Sequence, residues 1–307
     1  MEDFEEKPCY FNGKFVPLRE ANINIRTHAL QYATAAFGGM RAYYNEEKKN
    51  LFIFRVDDHY ERLVNSGKIL QMRMPLSLSE FRQVLVSMLR EGNWRQNVYI
   101  RPFLYKKSLD LSPRFHNVED GLAIYAIPLD DYLDTQRGLR ACVSSWVRIH
   151  DTQIPSRAKV TGAYTNSALA KSEALQNGFD EAIFLDIHGN VCEGSAENIF
   201  FVQKGELHTP PISSSILEGI TRKTVITLAH ELGIAVHERP ISRTELYTSE
   251  EIFFSGTGVQ VAWLREIDHR IIGNGKIGPV TQKIQEAYFR VVTGKEDRHQ
   301  NWLTRVY

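Results

Sequence analysis

The sequence has few cysteines, no long apolar run and no excess of either charge. Its 307 residues include three cysteines, and Cys9, Cys142 and Cys192 lack the paired spacing of a metal site or a disulfide framework. No apolar stretch approaches the roughly 20 residues that a membrane-spanning helix needs. The 37 basic residues balance 37 acidic ones, so the basic surface typical of nucleic-acid or anionic-membrane binders is missing. We therefore expect small-molecule chemistry without a metal, a nucleic acid or a membrane.

Length and composition indicate a folded protein with two domains. The hydrophobic fraction of 43% is ordinary for globular proteins, and the chain is too long for one small core. Residues 1–6 are acidic, unlike a signal peptide, so we expect a cytoplasmic protein. Residues 129–138 are polar and aperiodic, which is typical of a linker. We expect a small N-terminal domain over 1–128, this linker, and a large C-terminal domain over 139–307.

Local signals predict several helices. Ser77 and Glu80 form a capping-box pattern in front of an apolar stripe with helical spacing. The aspartates at 57–58 are expected to cap the preceding helix. In the second half, a polar residue at 165–166 is expected to cap a helix that stops at Gly178.

Two strands carry the predictions that matter most for function. Residues 97–105 alternate in character, so Tyr99 and Arg101 point to the same face of the strand. Pro102 lacks a backbone donor, which indicates an edge strand or an irregular position. A surface arginine packed on a tyrosine explains the same pattern without any function. A further strand is expected over 139–149.

The main candidate for covalent chemistry is Lys159. It lies among small residues over 158–162, where a solvated surface charge is poorly placed. A desolvated amine loses basicity and becomes a nucleophile towards carbonyl groups, which is the chemistry of a Schiff base. The alternative is an ordinary surface lysine.

Three further segments carry groups that suit an anionic ligand. Glu193 belongs to a glycine-containing turn that places its carboxylate at a strand end. The segment 219–221 begins a helix with a glycine and a threonine, so free amides and the positive end of the helix dipole are available for a phosphate. The turn 256–258 follows a strand and is a plausible anion nest. Each signal has an ordinary structural explanation as well, since many helices and turns begin in this way.

In this order, the motifs resemble the branched-chain amino acid aminotransferases, which are fold type IV pyridoxal-phosphate enzymes of the class IV aminotransferase family. The resemblance extends over nearly the whole chain, and its most specific segments are Thr27–Tyr32, Tyr99–Pro102, Glu193–Asn198, Gly219–Arg222 and Gly278–Thr281. It implies an α/β (α+β) fold with a smaller N-terminal α/β domain, a larger C-terminal domain with a β-barrel-like core, and the cofactor in the cleft between the domains.

The resemblance also implies pyridoxal 5'-phosphate as cofactor. Lys159 would be the catalytic residue, which holds the cofactor as a Schiff base and then moves a proton. Glu193 would face the pyridine nitrogen, and Tyr164 would donate to the phenolate oxygen. The other implied cofactor-binding positions are Arg62, Glu197, Leu217, Gly219, Ile220, Thr221, Gly256 and Thr257.

The implied reaction exchanges an amino group between leucine, isoleucine or valine and 2-oxoglutarate or glutamate. Tyr99 and the amides at 257–258 would bind the α-carboxylate, and Arg101 would receive the side-chain carboxylate of glutamate. The implied substrate-binding positions are Tyr32, Phe37, Gly39, Tyr99, Arg101, Tyr132, Thr257 and Gly258. In this family part of the site comes from a neighbouring subunit, so at least a homodimer is implied.

Two departures from the family pattern lie on the substrate side. Gly38 stands where the family has a glutamate, and residues 258–263 differ from the usual ending in an acid and a proline. The sequence therefore leaves open a bulkier, aromatic keto acid as the acceptor of the amino group. The sequence also leaves open a D-amino acid aminotransferase, an aminodeoxychorismate lyase, and a non-catalytic α/β binding protein.

Overall fold

The computed structural model describes residues 4–129 and 137–307 of the chain. Its α-helices are α1 (His28–Tyr32), α2 (Val56–Ile69), α3 (Leu78–Glu91), α4 (Tyr164–Gln176), α5 (Ile220–Glu231), α6 (Arg243–Thr248) and α7 (Pro279–Val292). Its strands are β1 (Pro8–Phe11), β2 (Lys14–Pro17), β3 (Ala35–Phe37), β4 (Met40–Asn45), β5 (Asn50–Phe54), β6 (Val98–Lys106), β7 (Asp120–Pro128), β8 (Leu139–Val143), β9 (Glu181–Leu185), β10 (Val191–Gly194), β11 (Asn198–Gln203), β12 (Glu206–Thr209), β13 (Val236–Glu238), β14 (Glu251–Gly256), β15 (Gln260–Ile267), β16 (Arg270–Ile271) and β17 (Leu303–Arg305).

The chain forms two compact units, each with its own sheet. Unit 1 comprises Met1–Asp130, Ala158–Gly162 and Arg290–Tyr307, and unit 2 comprises Asp131–Arg157 and Ala163–Phe289. This division is not sequential, because β17 pairs with β5 and Val160 forms a bridge with Ala36 in unit 1. Residues 130–136, which include most of the expected linker and Tyr132, lie outside the described residues.

Unit 1 is built on an antiparallel sheet of eight strands. The strand order is β17-β5-β4-β6-β7-β1-β2, with β3 also paired to β6. Helix α3 packs its apolar stripe into the core, where Phe81, Leu85 and Met88 are fully buried. Burial of such side chains contributes about 1.5–3 kcal/mol each. The predicted capping box of α3 is confirmed, since Ser77 and Glu80 exchange both hydrogen bonds.

Of the two positions expected for Pro102, the irregular one is confirmed and the edge strand is wrong. Strand β6 lies inside the sheet, with β7 on one side and with β4 and β3 on the other. Pro102 faces the break between β3 and β4, where its carbonyl accepts a hydrogen bond from the amide of Gly38. The missing donor is tolerated there because no continuous strand runs opposite the proline.

Unit 2 contains a closed barrel of six strands. The pairing sequence β10-β9-β8-β15-β14-β11 is closed by a further pair between β10 and β11. The pair that closes the ring is Glu193 with Asn198, and the short connection 195–197 between β10 and β11 brings these two residues together. The β-barrel-like core implied by the family resemblance is therefore present.

Three element boundaries differ from the sequence-based expectations. Helix α2 begins after Arg55, a left-handed residue whose guanidinium bonds Asp58, so the aspartates at 57–58 lie in the first turn. Helix α4 begins at Tyr164, before the expected cap. Strand β8 ends at Val143, because after Ser144, whose amide still donates to the Ile183 carbonyl, the next two backbone amides turn to side-chain acceptors such as Glu173. Among the described residues, no helix combines the length and apolar character needed to cross a membrane.

Candidate active site

Lys159 is held through its main chain against two elements of unit 1. Its amide donates to the hydroxyl of Ser66 on α2 at 3.1 Å. Its carbonyl accepts from the amide of Phe37 on β3 at 2.9 Å. The lysine segment thus extends the edge of β3, and both main-chain polar groups of Lys159 are satisfied. These two hydrogen bonds fix the backbone of Lys159.

The surroundings of Lys159 combine an aromatic ring with positive charge. The Nζ atom lies 5.1 Å from the centre of the Phe37 ring. On α2, His59, Arg62 and Ser66 follow one another at helical spacing, so they share one face. His59 is 4% exposed, and burial, followed by the charges of Arg62, Arg55 and Lys159, holds its pKa well below the usual value. A neutral imidazole beside cationic groups suits an anionic ligand such as a phosphate.

Tyr99 and Arg101 lie on one face of β6, as their spacing predicts. The guanidinium of Arg101 donates to the Tyr99 hydroxyl at 2.9 Å and lies 4.6 Å from the centre of the Phe37 ring. Arg101 Nε is buried and has no hydrogen-bond partner among the described residues. A Cβ atom at Gly39 would overlap the Tyr99 hydroxyl. The tyrosine and arginine pair therefore offers directed donors to a carboxylate, and Gly39 provides the space for it.

In unit 2, the Glu193 carboxylate is surrounded by donors. Arg148 Nη2 lies 2.7 Å from its Oε1 atom. The side-chain amide of Asn198 and the backbone amide of Leu217 donate to Oε2 at 3.0 Å and 3.1 Å. With both oxygens engaged, the carboxylate has a single orientation and is well placed to accept from a cationic ring nitrogen.

Asn198 links the carboxylate to the start of α5. Its amide group donates both to Glu193 and to the carbonyl of Leu217, the latter at 2.9 Å. A Cβ atom at Gly219 would overlap Asn198 Oδ1, so only glycine allows this close approach. Glu197 is buried and accepts a hydrogen bond from the amide of Ala196 at 3.0 Å.

The start of α5 and the end of β14 present donors suited to a phosphate. Gly219 is the N-cap of α5, and no side chain within the described residues caps this helix. The first helical residues, Ile220 and Thr221, are buried. At the end of β14, the hydroxyl of Ser255 is buried without a partner in the described part of the chain. Thr257 follows directly in the turn.

The remaining positions expected from the sequence lie at the ends of helices, in a turn, or outside the described residues. Tyr164 begins α4 and is partly buried, as is Gly258 in the turn after β14. Tyr32 ends α1, and its ring lies edge-on to His28 at 4.8 Å between centres. Tyr132 lies outside the described residues.

Four residues of this arrangement were not among the sequence-based candidates: His59, Ser66, Arg148 and Asn198. A local signal existed for Ser66, because it follows Arg62 by one helical turn. No local pattern singles out Arg148, since its partner is distant in the chain.

Comparisons with known proteins give a consistent result over the full length. A family model described as amino-transferase class IV matches residues 35–267. A probable branched-chain-amino-acid aminotransferase of Aquifex aeolicus is 49% identical over 308 residues, which cover 100% of this chain and 99% of that protein.

Solved structures agree with the sequence relatives. The branched-chain aminotransferase of Thermoproteus uzoniensis with norvaline has a TM-score of 0.94 at 43% identity, covering 98% of this chain and 99% of that one. The branched-chain amino acid aminotransferase of Thermobaculum terrenum in its PLP-form has a TM-score of 0.93 at 37% identity, covering 99% of this chain and 100% of that one.

Proposed function

Because the chain belongs to the class IV aminotransferases, and within them to the branched-chain-amino-acid aminotransferases, we propose that it exchanges amino groups between leucine, isoleucine or valine and 2-oxoglutarate. The proposed cofactor is pyridoxal 5'-phosphate. The observation that carries the proposal is the placement of Lys159. Its main chain is bonded at both polar groups, while its amine stays beside an aromatic ring, as a positioned amine nucleophile requires.

The chemistry of the residues fits this cofactor. A phosphate needs convergent donors, and the uncapped start of α5 and the buried, unpartnered hydroxyl of Ser255 supply them in the described part of unit 2. Arg62, with the hydroxyls of Thr221 and Thr257, would complete the phosphate contacts. A protonated ring nitrogen needs an anionic acceptor, for which Glu193 is already oriented.

When bound, pyridoxal phosphate supplies an electron sink for the negative charge that develops at the substrate Cα. Lys159 would hold the cofactor through its amine and would move a proton at the substrate Cα. Glu193 would accept the ring N–H, and Tyr164 would donate to the phenolate oxygen. The remaining proposed cofactor-binding positions would form the backbone around the cofactor: Glu197, Leu217, Gly219, Ile220 and Gly256.

The substrate is recognised through its carboxylates and its apolar side chain. Tyr99 and the amides at 257–258 bind the α-carboxylate in this proposal. Arg101 receives the second carboxylate of glutamate, because its guanidinium lies among aromatic rings without a carboxylate partner among the described residues. Phe37 and Tyr32 would form a wall for the branched side chain, and the family resemblance adds Tyr132 to it. We include a homodimer in the proposal, since part of this wall comes from a second subunit in the family.

The test is a substrate panel with purified protein and added cofactor. L-Glutamate should donate its amino group to the keto acids of leucine, isoleucine and valine. Borohydride should fix the cofactor to a peptide that contains Lys159, and Lys159→Ala should abolish both results. A preference for D-leucine, or release of pyruvate from aminodeoxychorismate, would replace the proposed activity with a D-amino acid aminotransferase or a lyase. A faster rate on the keto acid of phenylalanine would shift the substrate class to aromatic.

A further inference from the structure

One member of a buried ion pair in unit 2, Arg148, has no part in the function proposed so far. Arg148 Nη2 lies 2.7 Å from Glu193 Oε1, and the two side chains are 9% and 6% exposed. Arg148 also approaches the Ser215 carbonyl at 3.4 Å and the Phe184 ring at 5.5 Å. It follows β8 in a segment without regular structure, and its amide donates to the carbonyl of Leu185 on β9, the strand that pairs with β10.

The donors around Glu193 favour an ionised carboxylate. Oε1 faces the guanidinium, which has no acceptor capacity, and Oε2 faces two N–H donors. A proton on Oε2 would displace one of its two donors, which leaves the second lone pair of Oε1, beside the guanidinium, as the only other position for a proton. A buried carboxylate without a counter-ion would nevertheless tend to take up a proton. Arg148 removes that tendency.

We propose that Arg148 is a positioning residue that holds Glu193 as an oriented, ionised carboxylate. This inference rests on the proposed role of Glu193 at the ring nitrogen of the cofactor. A carboxylate accepts the ring N–H, whereas a carboxylic acid would offer a competing donor at the same place. With Arg148 in position, Glu193 is prepared before any ligand binds, and no reorganisation is needed at that moment.

The other titratable groups near this pair are Cys192, Asp186 and Glu197. Burial, followed by the charges of Glu193 and Asp186, raises the pKa of the Cys192 thiol far above its usual value. The thiol therefore stays neutral at working pH. Asp186 bonds backbone amides in its own turn, and Glu197 bonds the Ala196 amide. Glu193 is thus the group whose protonation should change when Arg148 is removed.

Thermal unfolding of the cofactor-free full chain tests the ion pair directly. In Arg148→Met, Glu193 without its arginine should have a raised folded-state pKa, so the variant should lose stability as pH rises from about 5 to about 8. Arg148→Met with Glu193→Gln should lack this loss and be the more stable of the two at the higher pH. Arg148→Lys should recover most of the stability. Equal pH profiles for the single and double variants would overturn the proposal and leave Arg148 a packing residue.

Kinetics of the cofactor-loaded protein test whether Arg148 acts through Glu193. Arg148→Met should lower kcat roughly tenfold or more when Glu193 is present, and should add little in the Glu193→Gln background, because residues that act as a unit are not additive. Additive losses would contradict the proposal. If the wild-type protein binds no pyridoxal phosphate, the proposed function fails, while the unfolding experiment still decides the role of Arg148.

Discussion

The Ser66 hydroxyl joins Lys159 to helix α2. It accepts a hydrogen bond from the Lys159 amide at 3.1 Å and donates one to the Arg62 carbonyl at 2.8 Å. Ser66 is 1% exposed, so water has little access to replace either bond. The position of α2 and that of the lysine segment are therefore coupled through one oxygen atom.

Replacement of Ser66 by alanine should weaken this coupling. The Lys159 amide would lose its acceptor, at a cost of about 1–2 kcal/mol in the free energy of unfolding. Cofactor should also dissociate faster, because the lysine segment is less well held. Chemical denaturation and cofactor release should be compared with Asn65→Ala, an exposed position on the same helix. Equal stability and equal rates of cofactor release in the two variants would show that Ser66 does not support the lysine segment.

Gly39→Ala should displace the Tyr99 hydroxyl, because the added Cβ atom would occupy its place. We expect KM for amino acids to rise at least as much as in Tyr99→Phe, which loses the hydroxyl without added bulk. The free energy of unfolding should also fall by about 1–3 kcal/mol, as is usual for overpacking. Steady-state kinetics on both variants check this. An unchanged KM in Gly39→Ala would show that Tyr99 does not bind substrate.

Arg101→Met should affect substrates with a second carboxylate much more than branched-chain substrates. Loss of a charged hydrogen-bonding group is worth about 1.5–3 kcal/mol, so KM for glutamate and 2-oxoglutarate should rise roughly tenfold to a hundredfold. KM for leucine should change much less, since leucine has no second carboxylate. Arg82→Met, at an exposed arginine, serves as the control. Equal losses for both substrates would assign Arg101 to the α-carboxylate instead.

His59 should contribute to acid sensitivity. Burial, and then the positive charges of Arg62, Arg55 and Lys159, hold its folded-state pKa well below the usual value. The unfolded chain takes up this proton near pH 6.5 and the folded chain does not, so the free energy of unfolding should decrease as pH falls below about 6.5. This one group changes the free energy of unfolding by at most about 1.4 kcal/mol per pH unit. Chemical denaturation from about pH 5 to 7 should show that the free energy of unfolding depends less steeply on pH in His59→Gln than in the wild-type protein. Identical pH dependence in the two proteins would contradict the lowered pKa of His59.

Gly219→Ala should disturb Glu193 from a distance. The new Cβ atom would overlap Asn198 Oδ1, and Asn198 donates to both Glu193 and Leu217. We expect weaker cofactor binding, measured by equilibrium titration of the cofactor-free protein. Gly189→Ala is a control for glycine replacement in an open turn of the same unit. Cofactor affinity equal to that of the control would show that Asn198 tolerates the shift.

Local signals explain which parts of the fold could be predicted. The capping box at Ser77 and the stripe of α3 depend on residues within a few positions of each other, and both are present. The sequence could not decide between an edge strand and an irregular position for Pro102, because its environment is set by the break at 38–39, on a neighbouring strand. The start of α2 was misjudged because Arg55 is held by Trp302, whose carbonyl accepts from the Arg55 amide.

The order of the motifs was enough to identify the family, and it predicts Lys159, Glu193 and the glycine at 219 as the chemical landmarks. Those landmarks are short runs of neighbouring residues, so their chemistry can be read in one dimension. The partners that hold them could not be read in this way. Ser66 meets Lys159 across 93 positions of the chain, and Arg148 meets Glu193 because β8, β9 and β10 lie side by side in the barrel. Such pairs depend on how sheets close and helices pack, and hydrogen bonds between distant residues leave no spacing pattern in a single sequence.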